Sequence, residues 1–455
     1  MKGEYSLKDL TQGREIKILL LFTLPLLLGN VCQQLYSTVD SIIVGNFAGE
    51  AALTSVGISF PVIFLITALV MGITMGSTIL IAQYYGAKNM DAVRLAISTT
   101  LKFMLVGGLV VTVLSVTLSP LILRLIRVPE EIFDSATSYL RLFFLGLVFN
   151  FGYNGIGAIC RGLGDSKTPL VLIVIATFIN IFLDLLFVAV FQWGAAGAAV
   201  ATVIAQAFSF IVGLWFLKSK YQLVEYNCFK WKWDKELFLT SIKIGLPIGI
   251  QQMLISIGAM VVTGLVNGFG MVTATTYTVA SRIDSFAMMP ALNISQATSA
   301  FVGQNIAVGR LDRVKKGFHA SLIINLSFAF LITGVILLFG DKLMALFGVS
   351  QEVIAGGIVY FQIIASFYFV FAVMQSCNGV VQGAGQTVIP LCVSILSLWV
   401  VRVPVAAILS SCLQSPVGIW WAIPIGWSLG AAFNMSYYLT GRWKKAALVH
   451  AEKAE

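Results

Sequence analysis

Two carboxylates stand inside long apolar stretches of this 455-residue chain. Asp40 lies in Leu35-Tyr36-Ser37-Thr38-Val39-Asp40-Ser41-Ile42-Ile43-Val44, and Asp184 in Asn180-Ile181-Phe182-Leu183-Asp184-Leu185-Leu186-Phe187. A carboxylate at membrane depth costs about 2.5–3.5 kcal/mol on insertion scales, so each such acid raises a functional question. Asn180 and Asp184 are four residues apart, and so are Tyr36 and Asp40, which puts each pair on one helix face. No Lys or Arg neutralises either acid locally. An acid without a basic partner in apolar surroundings favours its protonated form. Oxygen ligands from Asp, Asn and Thr also suit sodium. The chemistry implied is uptake and release of a proton or a sodium ion.

The elements that must carry these groups are membrane helices. At 58% hydrophobic and 11% charged residues, the chain departs from soluble domains, where about 25% charged is usual. Twelve apolar runs are long enough to span a bilayer: 16–46, 52–82, 95–120, 132–159, 168–191, 195–217, 237–268, 272–303, 315–338, 352–380, 388–411 and 416–440. Lys2, Lys8, Arg14 and Lys17 precede the first. Lys88, Arg94, Arg161, Lys167, Lys218, Lys220, Lys230, Lys232, Lys235, Arg310, Arg313, Lys315 and Lys316 fall in the even-numbered connections, and Arg442, Lys444, Lys445 and Lys453 close the chain. The opposite loops hold little beyond Arg124, Arg127 and Lys342. The positive-inside rule then puts both termini in the cytoplasm, with the chain a multi-pass protein of the inner (cytoplasmic) membrane. The net charge of +9 is loop bias and gives no reason to expect nucleic acid. The charged start does not read as a signal peptide, because the apolar run continues past Gly29 with no cleavage site.

Depth ties the acids together. At 1.5 Å per residue, Asp40 lies roughly 35 Å along the first span, Asp184 about 24 Å along the fifth, and Thr202 about 10–12 Å below the outer end of the sixth. Asp40, Asn180, Asp184 and Thr202 thereby come to a similar level in the outer half.

The chain is also internally duplicated. Gly162/Gly383, Gly164/Gly385, Pro169/Pro390, Gln83/Gln304, Asp91/Asp312, Val93/Val314 and Tyr139/Tyr360 share an offset of 221, and Pro25/Pro247 and Phe47/Phe269 differ from it by one. Internal repeats mark secondary transporters, whose sites lie near the repeat interface. Yet the positions of Asp40 and Asp184 become Val262 and Val405 in the second copy. Residues 1–220 are expected to form an N-lobe of six spans, 221–236 a cytoplasmic linker, and 237–455 a C-lobe of six spans with a short basic tail. The fold class expected is an all-α polytopic membrane protein with two pseudo-symmetric lobes.

Cysteines 32, 160, 228, 377, 392 and 412 show no metal spacing and read as packing residues. His319 and His450 lie in or near cytoplasmic ends, away from the acids. The loop Gly162 to Pro169 holds glycines, Lys167 and Thr168 but lacks the phosphate-binding arrangement, and reads as a tight turn with Pro169 opening the next helix. Energy must therefore come from an ion gradient, and the chain is expected to be a transporter rather than an enzyme, without a cofactor. In the C-lobe, Arg282 and Asp284 stand in the eighth span and Arg402 in the eleventh. Asp284 either pairs across helices with Arg402 or serves as a second coupling or substrate acid.

These residues together resemble the MATE (multidrug and toxic compound extrusion) family, and within it the bacterial DinF-like branch. The resemblance covers essentially the whole chain. It rests on Leu24-Pro25, Val39-Asp40 before Val44-Gly45, Arg161-Gly162-Leu163-Gly164-Asp165-Ser166-Lys167-Thr168-Pro169, Asn180 with Asp184, and Gly194-Ala195-Ala196-Gly197-Ala198-Ala199 leading to Thr202. It implies twelve helices in a V-shaped pair of lobes exporting drug-like, cationic organic compounds in exchange for protons or sodium. It implies a coupling site on Asp40, Asn180, Asp184 and Thr202, where sodium would bind if sodium is the ion. It also implies a bend of the first helix near Pro25, and a proline in mid-helix is a physical kink point. NorM-like relatives couple through C-lobe acids, but here the seventh helix reads Gly249-Ile250-Gln251-Gln252-Met253-Leu254-Ile255 and the tenth Phe371-Ala372-Val373-Met374-Gln375-Ser376-Cys377-Asn378, without a carboxylate. Gln33, Gln34, Tyr36, Tyr139, Asn154, Gln251, Gln252 and Met288 are candidates to line the substrate cavity, and Tyr36, Tyr139 and Asn154 match N-lobe cavity positions of the relatives. A monomer in the lipid bilayer is the default for this architecture. Two rival readings remain: a lipid-linked sugar flippase of the same superfamily, which Arg282 and Arg402 keep open, and an intramembrane aspartyl protease, which lacks the Gly-x-Gly that such a site needs before one of its acids.

Overall fold

The computed structural model describes residues 9–126, 128–224, 231–445 and 448. The expectations placed on Lys2, Lys8, Arg127, Cys228, Lys230, His450 and Lys453 fall outside those residues. Twelve helical rods follow one another: α1 (Glu15–Gly49), α2 (Ala52–Gly86), α3 (Met90–Leu125), α4 (Glu130–Leu145 continued as Leu147–Gly162), α5 (Lys167–Val190), α6 (Gly194–Tyr221), α7 (Lys235–Asn267), α8 (Met271–Ala307), α9 (Leu311–Ala345), α10 (Gln351–Gly383), α11 (Val388–Leu413) and α12 (Val417–Thr440). No strand occurs among the described residues. Nine of the rods are apolar and long enough to cross a membrane, and α4 makes a tenth when its two pieces count as one span. Rows of leucine, valine and phenylalanine point outward along them, Leu118, Leu121, Phe178 and Leu338 among them. Lipid is the solvent such a surface suits, since helices satisfy their own backbone groups.

Breaks in the rods have identifiable causes. Between α1 and α2 the chain turns at Gly49, whose φ of 84° lies in the left-handed region that favours glycine. Pro25 sits inside α1 and removes one helical N–H, yet the dihedrals stay helical through it. The 47° bend in α4 falls at Gly146, where a Cβ would lie 2.3 Å from Val203 Cγ2 of α6. That glycine lets α6 come close.

The helices form two compact units. The first holds Asp9 and Leu24–Gly245, the second Leu10–Thr23 and everything from Leu246 onward. The changes of unit fall just before Pro25 and Pro247, the repeat-related prolines. Within the second unit, the segment leading into α1 is held by polar groups at the adjoining ends of α8 and α9. Gln304 Oε1 accepts the Leu10 N–H at 3.0 Å, Asn305 donates to the Leu10 carbonyl at 3.2 Å, and Arg310 donates to the Thr11 carbonyl at 2.7 Å. Arg313 donates to the Gly13 carbonyl at 2.9 Å and pairs with Glu15 at 3.1 Å. The first unit treats the segment leading into α7 alike: Ser98 Oγ accepts the Lys232 N–H at 2.9 Å and Thr99 Oγ1 the Asp234 N–H at 3.2 Å. The start of α7 then crosses α2 backbone to backbone, at Gly76 and Gly245.

The glycine turn after α4 is tied down by a partly buried ion pair. Asp165 Oδ1 accepts the N–H groups of Lys167 and Thr168 at 2.9 and 3.1 Å, capping α5. Its Oδ2 accepts from Lys220 at 2.8 Å, from Thr168 and from Tyr221. Burial alone would raise this carboxyl, but the hydrogen bonds from Lys220, Thr168 and Tyr221 and the Lys220 charge hold it down to about 2. A depressed acid stabilises the fold above its unfolded value near 4, and that stabilisation is lost as pH falls toward 2. Acid unfolding of detergent-solubilised protein should therefore show a loss of about 2 kcal/mol across that window, absent in Asp165→Asn. The repeat-related positions of Asp165 and Lys220 are Gln386 and Gly441, so the clamp belongs to the first unit only.

Candidate functional site

Asp184 ends the regular part of α5, and the next six residues, Leu185–Val190, wind as a π-helix. Such wide turns cost hydrogen-bond geometry and are frequent at functional sites. On the facing helix, small residues open α6: Ala195, Ala198, Ala199 and Ala201 are all buried, and a Cβ on Gly197 would lie 3.2 Å from Phe187. Close approach of this kind is what small residues permit between membrane helices. It brings Thr202 onto Asn180.

The polar groups form one connected cluster inside the first unit. Tyr36 and Thr202 share a hydrogen bond of 2.9 Å between their hydroxyls. The Asn180 amide, oriented so that both its ends are satisfied, donates to Asp184 Oδ2 at 2.7 Å and accepts from the Thr202 N–H at 3.3 Å. Asp40 faces Asp184 closely enough for the two carboxyls to interact directly. Asn180 and Asp184 are wholly buried, Thr202 is buried, and Asp40 and Tyr36 are half-buried. Tyr139, also buried, lies within electrostatic reach of both acids. Around them pack Ile43, Val44, Ala52, Val188, Ala195, Ala198 and Ala199.

Two features give the cluster its chemistry. Neither acid forms an ion pair with Lys, Arg or His among the described residues. Oδ1 of Asp40 and Oδ1 of Asp184 each lack a hydrogen-bond donor. Two unit charges about 4 Å apart repel by about 4 kcal/mol even at an effective dielectric of 20. A facing pair of carboxyls relieves that repulsion by sharing a proton, and titrates as one coupled unit. The arrangement can therefore exchange a cation with solution at little geometric cost.

The other sequence-derived candidates are scattered. Asn154 is half-buried and donates to Asn150, at 2.9 Å to its carbonyl and 3.1 Å to its side chain. Gln33, Gln34 and Gln252 are exposed, whereas Gln251 donates to Ser394 at 2.6 Å. Arg282 is exposed. Met288 lies in the second unit, beside Asn325 and Tyr368. Asp284 makes no ion pair with Arg402; its oxygens accept from Tyr360 and Tyr368. Those two tyrosines carry no signal of their own in sequence, apart from Tyr360 being the repeat partner of Tyr139. The Asp165–Lys220 clamp was equally hidden, because its partners are 55 residues apart.

Comparison with known proteins follows the same duplication. The family model described as MatE matches residues 25–186 and again 247–408, each match beginning at one of the repeat-related prolines. The chain is 33% identical to "Probable multidrug resistance protein YpnP" of Bacillus subtilis (strain 168), over 97% of this chain and 98% of that protein. It is 26% identical to "Probable multidrug resistance protein NorM" of Thermotoga maritima, over 96% and 95%. A solved structure described as the outward-facing conformation of a multidrug resistance MATE family transporter of the MOP superfamily superposes with a TM-score of 0.89 at 23% identity, covering 98% of this chain and 99% of that one.

Proposed function

The chain belongs to the MATE family of multidrug transporters, and on that premise we propose that it is a proton-coupled antiporter that exports drug-like organic cations across the cytoplasmic membrane. The observation that carries the reading is the facing pair of half-buried Asp40 and buried Asp184, without a basic partner and tied through Asn180 to Thr202 and Tyr36. A proton suits this pair better than sodium. The site offers two carboxyls already in contact, and each unsatisfied oxygen accepts one hydrogen.

In this reading the transport cycle is an exchange. With the pair deprotonated, negative charge in the first unit favours an organic cation in the adjoining cavity, where Tyr36, Tyr139, Gln34 and Asn154 contribute polar edges. Proton entry from outside neutralises the pair and removes that attraction, and the substrate leaves. Because Asp40 and Tyr36 share α1, a change in the charge of Asp40 acts on the same helix that carries Pro25. That residue leaves one carbonyl without its helical donor, so α1 bends there at lower cost than elsewhere. The protein works as a monomer with both termini in the cytoplasm. Residues 1–220 and 237–455 supply the two lobes.

Ethidium efflux from proteoliposomes tests this reading. An imposed proton gradient should drive efflux by the native protein, a sodium gradient alone should not, and Asp40→Asn should insert normally and lose the gradient-driven part. Native-rate efflux by Asp40→Asn, or efflux driven by sodium alone, would overturn it.

A further inference from the structure

The second unit contains a buried acid that the reading above does not use. Asp284 of α8 is 5% exposed, and each of its oxygens accepts from a tyrosine of α10, Oδ2 from Tyr360 and Oδ1 from Tyr368. Both tyrosines are buried, at 2% and 4% exposure. The other charged or titratable groups that reach Asp284 are Arg402 of α11, which forms no ion pair with it, and Tyr277 on its own helix. Trp420 of α12 lies over the group, its ring 5.6 Å from Tyr277 and 5.0 Å from Tyr360.

The duplication gives this acid its significance. Tyr360 is the repeat partner of Tyr139, which stands beside Asp40 and Asp184 in the first unit. The partners of those acids, Val262 and Val405, pack in the second unit's core against the same region as Tyr360 and Tyr368. Conversely, the first unit has Val62 and Ile63 where the second has Asp284, and both are packed as apolar residues. Packing therefore does not require an acid at this position, and burying one is expensive. Each unit keeps one acidic centre beside the same repeat tyrosine, but draws the acid from different helices.

A small cavity adjoins the centre. Tyr368 lines a cavity of about 10 Å³, room for a single water, together with Met288, Phe371 and Asn325. Asn325 is 1% exposed, its Oδ1 has no hydrogen-bond partner, and its amide donates to Ser376 at 2.7 Å. Two polar side chains face this otherwise apolar cavity: Tyr368, which donates to Asp284, and Asn325, which donates to Ser376.

We propose that Asp284, Tyr360 and Tyr368 form a second proton-binding site, in the second unit, that loads and unloads one proton independently of Asp40 and Asp184. Loading converts the Asp284 carboxylate to the neutral acid. Tyr368 hands its hydroxyl proton to Oδ1 and takes another from the cavity side, so the tyrosine ends unchanged and one proton is gained overall. Tyr360 holds the second oxygen in place.

Infrared pH titration of the full-length protein in lipid nanodiscs tests the site without any transported substrate. In Asp40→Asn/Asp184→Asn, one buried carboxylic-acid carbonyl band should still appear and vanish with pH, and Asp284→Asn added to that pair should abolish it. Tyr368→Phe, which keeps the acid, should leave the band but change its frequency and titration midpoint. Absence of a titrating band in the Asp40→Asn/Asp184→Asn protein would overturn the proposal, as would its survival in the Asp284→Asn triple variant or an unchanged band in Tyr368→Phe. Because the readout needs no gradient and no drug, failure of the antiport reading would show in the efflux assay alone.

Discussion

Asp184→Asn is expected to cut gradient-driven ethidium efflux about a hundredfold, near the upper range for a coupling free energy of about 3 kcal/mol. The asparagine keeps the size of the side chain and can still accept from Asn180, which now reaches Asp184 Oδ2 at 2.7 Å. What it removes is the exchangeable proton and the repulsion that makes Asp40 release one. Ethidium binding to the variant should persist but lose the pH dependence that the native protein shows as it takes up protons and releases substrate. Binding measured by fluorescence at several pH values checks the second half of the expectation; efflux checks the first. A pH-dependent Asp184→Asn would place the exchanging group elsewhere.

The second large effect is mechanical. A Cβ on Gly76 would stand 2.3 Å from the Ser241 carbonyl oxygen and 2.7 Å from the Gly245 nitrogen, and one on Gly245 would stand 2.5 Å from the Ile73 Cα. All of these neighbours are backbone, so no rotamer change relieves the clash. Gly76→Ala should destabilise the protein by about 3 kcal/mol, at the upper end of ordinary overpacking. That corresponds to roughly 5–10 °C in melting temperature in detergent. Gly57→Ala, also in α2 but with nothing within 4 Å of its Cβ, is the control. It should match the native protein or exceed it by about 0.5–1 kcal/mol, because alanine restricts the unfolded chain. Equal melting temperatures for the two variants would mean that α7 and α2 separate there without cost.

How much of this was legible in the sequence varies with the kind of interaction. The rods were legible because a membrane helix needs a long apolar run, and the chain supplies them with charged punctuation. Asp40, Asn180, Asp184 and Thr202 were legible as a group because acids are rare in such runs and helical rise fixes their depth. Which atoms meet was not. Tyr36 reaches Thr202 rather than staying with Asp40, its neighbour one turn along α1, because α6 approaches closely on its alanines. The bend at Gly146 was hidden inside one apolar run, since its cause is Val203 on another helix. The π turns of α5 and α11 leave hydrophobic patterning almost unchanged, so nothing announced them. Asp284 drew attention to Arg402 because charges are conspicuous in sequence. Its partners are neutral hydroxyls 76 and 84 residues away.

The hold that Gln304, Asn305, Arg310 and Arg313 keep on the lead segment of α1 bears on how the gene can be divided. A two-plasmid experiment that cuts between the repeats produces fragments that match the duplication but not the compact units. The downstream fragment would lack Leu10–Thr23, leaving two arginines and an asparagine without the carbonyls they now serve. The upstream fragment would keep or lose its own lead-in to α7 according to the side of Trp231 on which the cut falls. Fragment complementation should therefore depend on the upstream piece delivering residues 10–23, and a leader peptide of that sequence supplied with residues 246–455 should raise the yield of the downstream piece.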